Sequence, residues 1–526
     1  FYEQLSGKTV KAAQKQIAEL LRDPAGSASG SGAPLIQEPT PIEHSVKFFE
    51  KGDRPLEFMR ARQWFVRLLD KKDQLIKMGN RIQWHPDFMR ARFQNWTENL
   101  QFDWCISRQR YFGVAFPMWY PIDSEGQPDY DHPIVATPEM LPVDPMVTPA
   151  PGYDESERDK SGGFTGEADV YDTWFTSSMS PEIGSRWQLD PVRHAKLFPT
   201  DVRPQSHEII RTWAFYTIAK AMLHEGVIPW NHALISGWIL DPENKDKLSK
   251  TKHEDKNKRK VVVTPMDMID EYGADGARYW SANAKLGADT LFDLNVLKIG
   301  RRLVTKIFNA SKFVLSQTAE AQPITRDLDL AFVLRLKQLI VRTTEAFENF
   351  EYTVALAETE KFFWNDFTDT FIELVKIRSR AEEDAEGRGS AVAALRFGLN
   401  TLLRLFAPFL PYITEEVWSW AFAVETGQSS IHRSAWPSDK DFASATLPAD
   451  GSVFEAAVAC WDEVNKRKSD AKVPVGRSVQ SMTIAANAVT LATFKKAEAD
   501  IVSATRALTY NVVEDGSLEN GVFDIR

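Results

Sequence analysis

Apolar positions recur at helical spacing in four long stretches, residues 296–317, 328–350, 352–381 and 390–406. A stripe of that kind buries against other helices, so the pattern predicts a helical bundle. The run Ala407-Pro-Phe-Leu-Pro411 interrupts it, and residues 412–422 resume it. Between residues 169 and 284 the pattern alternates. Strand-like runs (233–240, 261–263) are interleaved with helical ones (208–223, 265–271). Such alternation predicts an α/β unit around a parallel sheet. Near the start, Val10, Ala13, Ile17, Leu20 and Leu21 mark a helix that follows a strand end. Residues 24–40 are rich in Pro, Gly, Ser and Ala and read as a linker. Residues 41–120 mix short apolar runs with Trp- and Arg-rich segments, and residues 121–165 read as a loop-heavy insertion. At the far end a helix over 453–467 precedes short strands at 481–485, 512–514 and 522–525. The expected fold class is α/β plus all-α, closed by a small α+β C-terminal domain.

Composition narrows the classes. No run of 18 apolar residues occurs, which excludes a membrane-spanning helix. Two cysteines, Cys105 and Cys460, exclude a disulfide framework and fit a reducing, cytoplasmic setting. A net charge of −10 excludes a wholly basic nucleic-acid binder but leaves room for local basic patches. The chain opens on Phe1, inside what reads as a folded segment, so it is expected to be a piece of a longer protein.

Four segments carry candidate chemistry. Lys247-Leu-Ser-Lys-Thr251 follows a strand and a polar turn, where two lysines can embrace a polyphosphate at the carboxyl end of a sheet. Taken alone it also reads as a solvated charge run, since residues 245–260 hold eight Lys/Arg against three Asp/Glu. Asp103-Trp-Cys-Ile-Ser-Arg-Gln-Arg-Tyr-Phe-Gly113 sets Arg108 and Arg110 among aromatics, a pattern suited to phosphates and bases or to a buried Trp with surface arginines. Val170-Tyr-Asp-Thr-Trp-Phe-Thr-Ser-Ser178 is the third. In the fourth, Ser206, His207 and Glu208 open a helix after a strand end, where they can face a ribose or simply cap the helix.

Together these segments resemble the class I aminoacyl-tRNA synthetases for branched aliphatic amino acids, most closely the valyl branch. Lys247 to Thr251 is similar to the family's K-M-S-K-S loop. Asp172-Thr-Trp-Phe175 is nearer the valyl pattern than the isoleucyl D-V-W-F-D-S-G. Ser236-Gly-Trp-Ile-Leu240, Val263-Thr-Pro, Tyr272-Gly-Ala-Asp275, Ala277-Arg-Tyr-Trp280 and Glu50 to Glu57 with Arg62-Gln-Trp64 agree, as do Asn365-Asp-Phe and Phe406 to Trp418 in the bundle. The resemblance implies an ATP-dependent ligase that activates valine, with Mg2+ accompanying the ATP, and charges tRNA-Val. It implies the tail of an inserted editing domain at 1–60, the second half of a Rossmann-like catalytic domain at 61–290, an anticodon-binding bundle at 291–440 and a small mixed domain at 441–526.

By the same resemblance Lys250 contacts ATP, Lys247 is a second phosphate partner and Ser249 lies between them. Ser206, His207 and Glu208 line the adenosine side, Trp174 walls the amino-acid pocket, and Arg108 and Arg110 face the tRNA acceptor end. Trp364 reads as bundle core. An apolar wall cannot strongly reject threonine, so the parent is expected to proofread. The family's H-I-G-H motif does not occur in the sequence, and the chain alone is expected to be nearly inactive. His253 to Lys260 stands where the family has Gly-Asn, and the family's Gly-x-Asp is here Ser206-His207-Glu208. With no Cys-x-x-Cys after Tyr120, no zinc is expected. A monomer with no membrane partner is expected. An isoleucyl enzyme and a non-catalytic tRNA-binding protein are the alternatives; a P-loop ATPase fails for want of G-x-x-x-x-G-K-[ST].

Overall fold

Three strands, β1 (Gln83–His85), β2 (Thr200–Ser206) and β3 (Trp230–Ser236), form a parallel sheet in the order β1-β3-β2. Helix α1 (Phe215–Glu225) crosses from β2 to β3 and buries Phe215, Ile218 and Ala219. The computed structural model describes residues 2–23, 33–43, 45–48, 55–56, 61–248, 264–319, 322–443 and 445–526. The chain divides into two units, Phe1–Trp64 and Phe65–Arg526.

In the first unit a short helix, Tyr2–Leu5, stands where the pattern suggested a strand end. Helix Val10–Arg22 follows, with Thr9 accepting the Ala12 amide at 3.4 Å as its cap. Among the described residues its apolar positions are not buried. Arg22 pairs with Glu38 at 2.6 Å. Most of the expected linker and most of Glu50 to Glu57 lie outside the described residues.

In the second unit the α/β reading holds with adjustments. The strand expected at 233–240 breaks at Gly237, where an added Cβ would meet the Ala288 carbonyl oxygen at 2.2 Å. A second piece, Ile239–Leu240, then pairs with Thr290–Leu291. The helix expected from 208 begins as a 3-10 turn (His207–Ile209) and a π-helical stretch (Ile210–Ala214) before α1. The strand expected at 261–263 lies outside the described residues. The expected loop-heavy insertion is more ordered than its Pro/Asp/Gly content suggests. Met118–Pro121, Ile134–Val135 and Phe164–Gly166 form an antiparallel sheet around Trp119 and Phe164, both fully buried. Few apolar residues are needed there because two large aromatics supply the core.

The bundle comprises α2 (Ala274–Ala282), α3 (Leu294–Ser316), α4 (Asp327–Glu348), α5 (Ala385–Phe406) and α6 (Pro411–Trp420), with Tyr352–Lys361 and the π-helical Phe362–Phe371 between α4 and α5. The wider π turn keeps Phe363, Phe367 and Phe371 on the buried face, and Phe371 stacks on Phe332 with centroids 3.9 Å apart. Burying each such ring stabilises by roughly 1.5–3 kcal/mol. Trp364 packs half-buried against this core, as expected. Helix α7 (Ser452–Asp470) leads to the last sheet, where β4 (Val479–Ala486) pairs parallel with β5 (Ala507–Glu514) and antiparallel with β6 (Asp524–Ile525). Among the described residues no helix is long and apolar enough to cross a membrane.

Candidate active site and nucleic-acid interface

One cleft lies at the carboxyl ends of β2 and β3, a second lies beside the start of α1, and Trp96 lines both. The first, about 460 Å³, is lined by Arg92, Asn95, His207, Glu208, Arg211 and Trp238 among others. Ser206 and Ser236 are register partners at the strand ends, so the turns leaving β2 and β3 emerge side by side. His207 donates from Nδ1 to the Ser236 carbonyl at 3.2 Å, and its ring lies 4.7 Å from that of Trp238. The Trp238 amide donates to Asp289 at 2.7 Å, fixing the turn at Gly237.

Lys247 reaches this cleft because its backbone bridges antiparallel to Leu240. Its ammonium closes on the Glu208 carboxylate and lies 5.6 Å from the Trp238 ring centre. The Lys247 hydrogen bond holds the Glu208 carboxyl below its usual range, against the opposing effect of burial. Ser206 makes no capping bond, and its buried Oγ has no partner among the described residues. Thus Lys247, Glu208 and His207 come together. Ser249 and Lys250 lie outside the described residues.

The second cleft, about 390 Å³, is bordered by Phe102, Asp103, Trp104, Cys105, Arg108 and Tyr216. Trp104 stacks on Tyr216 at 3.7 Å and donates from Nε1 to Asp172 at 3.3 Å. Arg108 turns inward. It pairs with Asp172 at 3.4 Å and donates to the carbonyls of Ser107 (2.8 Å) and Cys105 (3.0 Å). Arg110 is exposed, beside the exposed rings of Tyr111 and Phe112. Trp174 sits half-buried on the short helix Thr173–Ser177. The buried Lys220 ammonium donates to the Phe175 carbonyl at 2.9 Å and lies 3.4 Å from that ring's centre. Burial pushes this lysine down to about 8. Trp213 donates to the Ser177 carbonyl at 3.1 Å, so the turn carrying Trp174 is held from two sides.

A cleft of about 460 Å³ with a Lys–Glu pair at the carboxyl ends of a parallel sheet, beside an aromatic second cleft, is where open α/β sheets collect ligands. Which family built it is decided by comparison. The family described as tRNA synthetases class I (I, L, M and V) matches residues 4–293, more than half of the chain.

The chain belongs to the class I tRNA synthetases.

The anticodon-binding domain of tRNA ligase matches residues 329–483. A valine–tRNA ligase from Thermobifida fusca (strain YX) is 45% identical over 492 residues, 92% of this chain and 53% of that protein. One from Cutibacterium acnes is 43% identical over 97% of this chain and 57% of that protein. The chain thus spans about half the length of the curated relatives it matches. Among solved structures it is similar to a Mycobacterium tuberculosis methionyl-tRNA synthetase, 15% identical with a TM-score of 0.49, over 69% of this chain and 64% of that one.

The fold is therefore that of a class I synthetase catalytic domain followed by an anticodon-binding domain. Among the described residues no group of three or more His, Cys, Asp or Glu side chains is placed to hold a metal ion.

Sequence reasoning missed one further surface. Helix α3 carries Lys298, Arg301, Arg302, Lys306 and Lys312 and no acidic residue. Phe308 is exposed on it, and Trp420 meets that ring edge-on at 5.3 Å. Basic residues beside an exposed aromatic pair are a pattern that nucleic-acid surfaces use, although Lys306 already pairs with Asp369 at 3.1 Å. The charge asymmetry of α3 was legible in the sequence; the meeting of Phe308 with Trp420 was not.

Proposed function

We propose that the chain is part of a valine–tRNA ligase, which activates valine to valyl-adenylate with ATP and Mg2+ and transfers it to tRNA-Val. The supporting observation is identity of 41–45% to valine–tRNA ligases over nearly all of this chain. In this reading the valine carboxylate attacks the α-phosphate in line. Lys247 and Lys250 neutralise charge growing on the departing pyrophosphate, with Ser249 between them. His207, Glu208 and Ser206 lie on the adenosine side. Trp174 walls the valine pocket, and proofreading of threonine belongs to the whole enzyme. Arg110 and Arg108 serve the acceptor end.

The domain boundaries proposed are 1–60, 61–290, 291–440 and 441–526. A cytoplasmic monomer is proposed. Because the sequence lacks a His-x-Gly-His motif, the chain by itself is proposed to be nearly inactive.

Titration with tRNA-Val, tRNA-Ile and an unrelated tRNA at two salt concentrations tests the reading. Salt weakens phosphate attraction for all three alike. A preference for tRNA-Val that survives the higher salt supports it, and a preference for tRNA-Ile moves the assignment to the isoleucyl branch. Valine-dependent exchange of pyrophosphate into ATP by this chain alone would overturn the proposed inactivity.

A further inference from the structure

The C-terminal domain holds a cavity that the ligase reading does not use. It measures about 430 Å³ and opens between α7 and the β4–β6 sheet. Its floor is aliphatic: Val464, Val473, Val479, Met482 and Ile525. Among the described residues no Asp or Glu side chain and no aromatic ring lines the cavity itself. Arg467, Lys468, Arg477 and Arg526 bring four cations to its walls.

The four are not equivalent. Lys468 is buried, and its ammonium donates to the carbonyls of Val475 (2.8 Å) and Thr505 (3.0 Å), so it braces the wall. Arg467 and Arg526 both reach Asp524, at 2.8 and 2.7 Å. Arg467 also bonds Glu463 at 3.1 Å, and Arg526 lies 3.7 Å from Asp515. Arg477 has no carboxylate partner among the described residues. The rim therefore offers one guanidinium without a carboxylate, that of Arg477, and two that hold Asp524 between them while each reaches a second carboxylate, Glu463 or Asp515.

This chemistry discriminates between occupants. RNA phosphates would satisfy the arginines, and a base would find guanidinium planes but no aromatic ring, so the aromatic stacking that holds unpaired bases is missing. A peptide with an aliphatic residue flanked by Asp or Glu uses both features. Its side chain buries on the floor, and its carboxylates meet the planar fork of Arg477 and compete with Asp524 for Arg467 and Arg526. A volume of about 430 Å³ lies in the usual range of ligand pockets, about 300–1,000 Å³. We propose that this cavity is a docking site for an acidic peptide segment of a partner protein, anchored by aliphatic side chains. The proposal stands independently of which amino acid the enzyme charges.

The test uses the whole chain with methyl-labelled methionine. The probe is the acetylated peptide Glu-Asp-Leu-Asp-Ile-Glu-Asp, compared with its Leu/Ile-to-Ser and acid-to-Lys versions and with a tRNA transcript. The acidic aliphatic peptide should shift the Met482 methyl resonance. Arg477→Glu and the cavity-filling Ser481→Trp should each weaken binding by about tenfold or more, and Lys495→Glu, outside the cavity, should leave it unchanged. Melting curves matching the parent would show that both variants fold. A Met482 resonance unmoved at millimolar peptide, equal binding of the Ser-substituted peptide, or a shift produced by tRNA and not by peptide would each overturn the proposal. The last would assign the cavity to RNA.

Discussion

Asp275 accepts the backbone amide of Ile413 at 2.7 Å across 138 residues of sequence. Its other oxygen takes the Tyr412 amide at 3.2 Å, so a side chain of α2 caps α6. Arg278, one turn on, donates to the carbonyls of Pro408 (2.9 Å) and Phe409 (3.1 Å). Two segments that looked like separate signatures, around Asp275 and around Phe406 to Pro411, are the two sides of one joint. Asp275→Ala leaves two buried or half-buried amides without their acceptor and should cost about 1–3 kcal/mol, read as a lower urea midpoint.

A second joint is ionic and deeper. Arg378 donates to both oxygens of Asp329 (2.7 and 2.9 Å) and to Asp500 at 2.8 Å, with Asp329 fully buried. Ser390 donates to Asp329 at 2.6 Å. Removing the cation strands two carboxylates, so Arg378→Ala should cost about 3–5 kcal/mol. Replacing Arg378, Asp329 and Asp500 together by apolar residues of similar size should cost far less. Chemical denaturation of the single and triple variants separates the two outcomes.

His85 and His232 face each other across β1 and β3, Nε2 to Nδ1 at 3.0 Å, with the Phe350 ring against both. Burial, and then the neighbouring His232, hold His85 below the ordinary histidine value of 6.5. Between the folded and unfolded values the unfolded chain binds the extra proton. Stability is therefore full above about pH 6.5 and falls as pH drops through that window. The melting temperature of the parent should drop on going from pH 7.5 to 5.5, and His85→Gln should flatten that slope.

The Lys247–Glu208 pair is half-exposed, and such pairs contribute about 0–1 kcal/mol. Glu208→Gln should barely move the melting temperature. Lys247→Ala should weaken pyrophosphate binding by about tenfold, as expected for the loss of one charge-assisted contact of about 1.5 kcal/mol. Calorimetric titration with magnesium pyrophosphate would check this, and an unchanged affinity would remove Lys247 from the phosphate site.

Replacing the exposed Phe308 by Ala should weaken tRNA binding by about 1–3 kcal/mol if one base stacks there. Arg302→Glu should instead flatten the dependence of affinity on salt. A filter-binding series across salt concentrations distinguishes the stacking loss from the charge loss.

Most of the long helices and the strand–helix alternation were legible because each buries one face, and that periodicity is written residue by residue. The pattern placed α3, α4 and α7 within three residues of their ends. It also located Lys247 as a candidate, since the strand pieces preceding it carry an apolar run, whereas His207 and Glu208 follow the polar strand Thr200–Ser206 and drew their role from the family resemblance. The small sheet around Trp119 escaped it, because two buried aromatics do not make a period. So did the partners: that Lys247 meets Glu208, that Arg108 turns in to Asp172, and that Phe308 finds Trp420 depend on chain segments many residues apart. Local sequence determines which face of an element is apolar. Which polar groups then meet is decided only when the elements pack and each buried donor must find an acceptor.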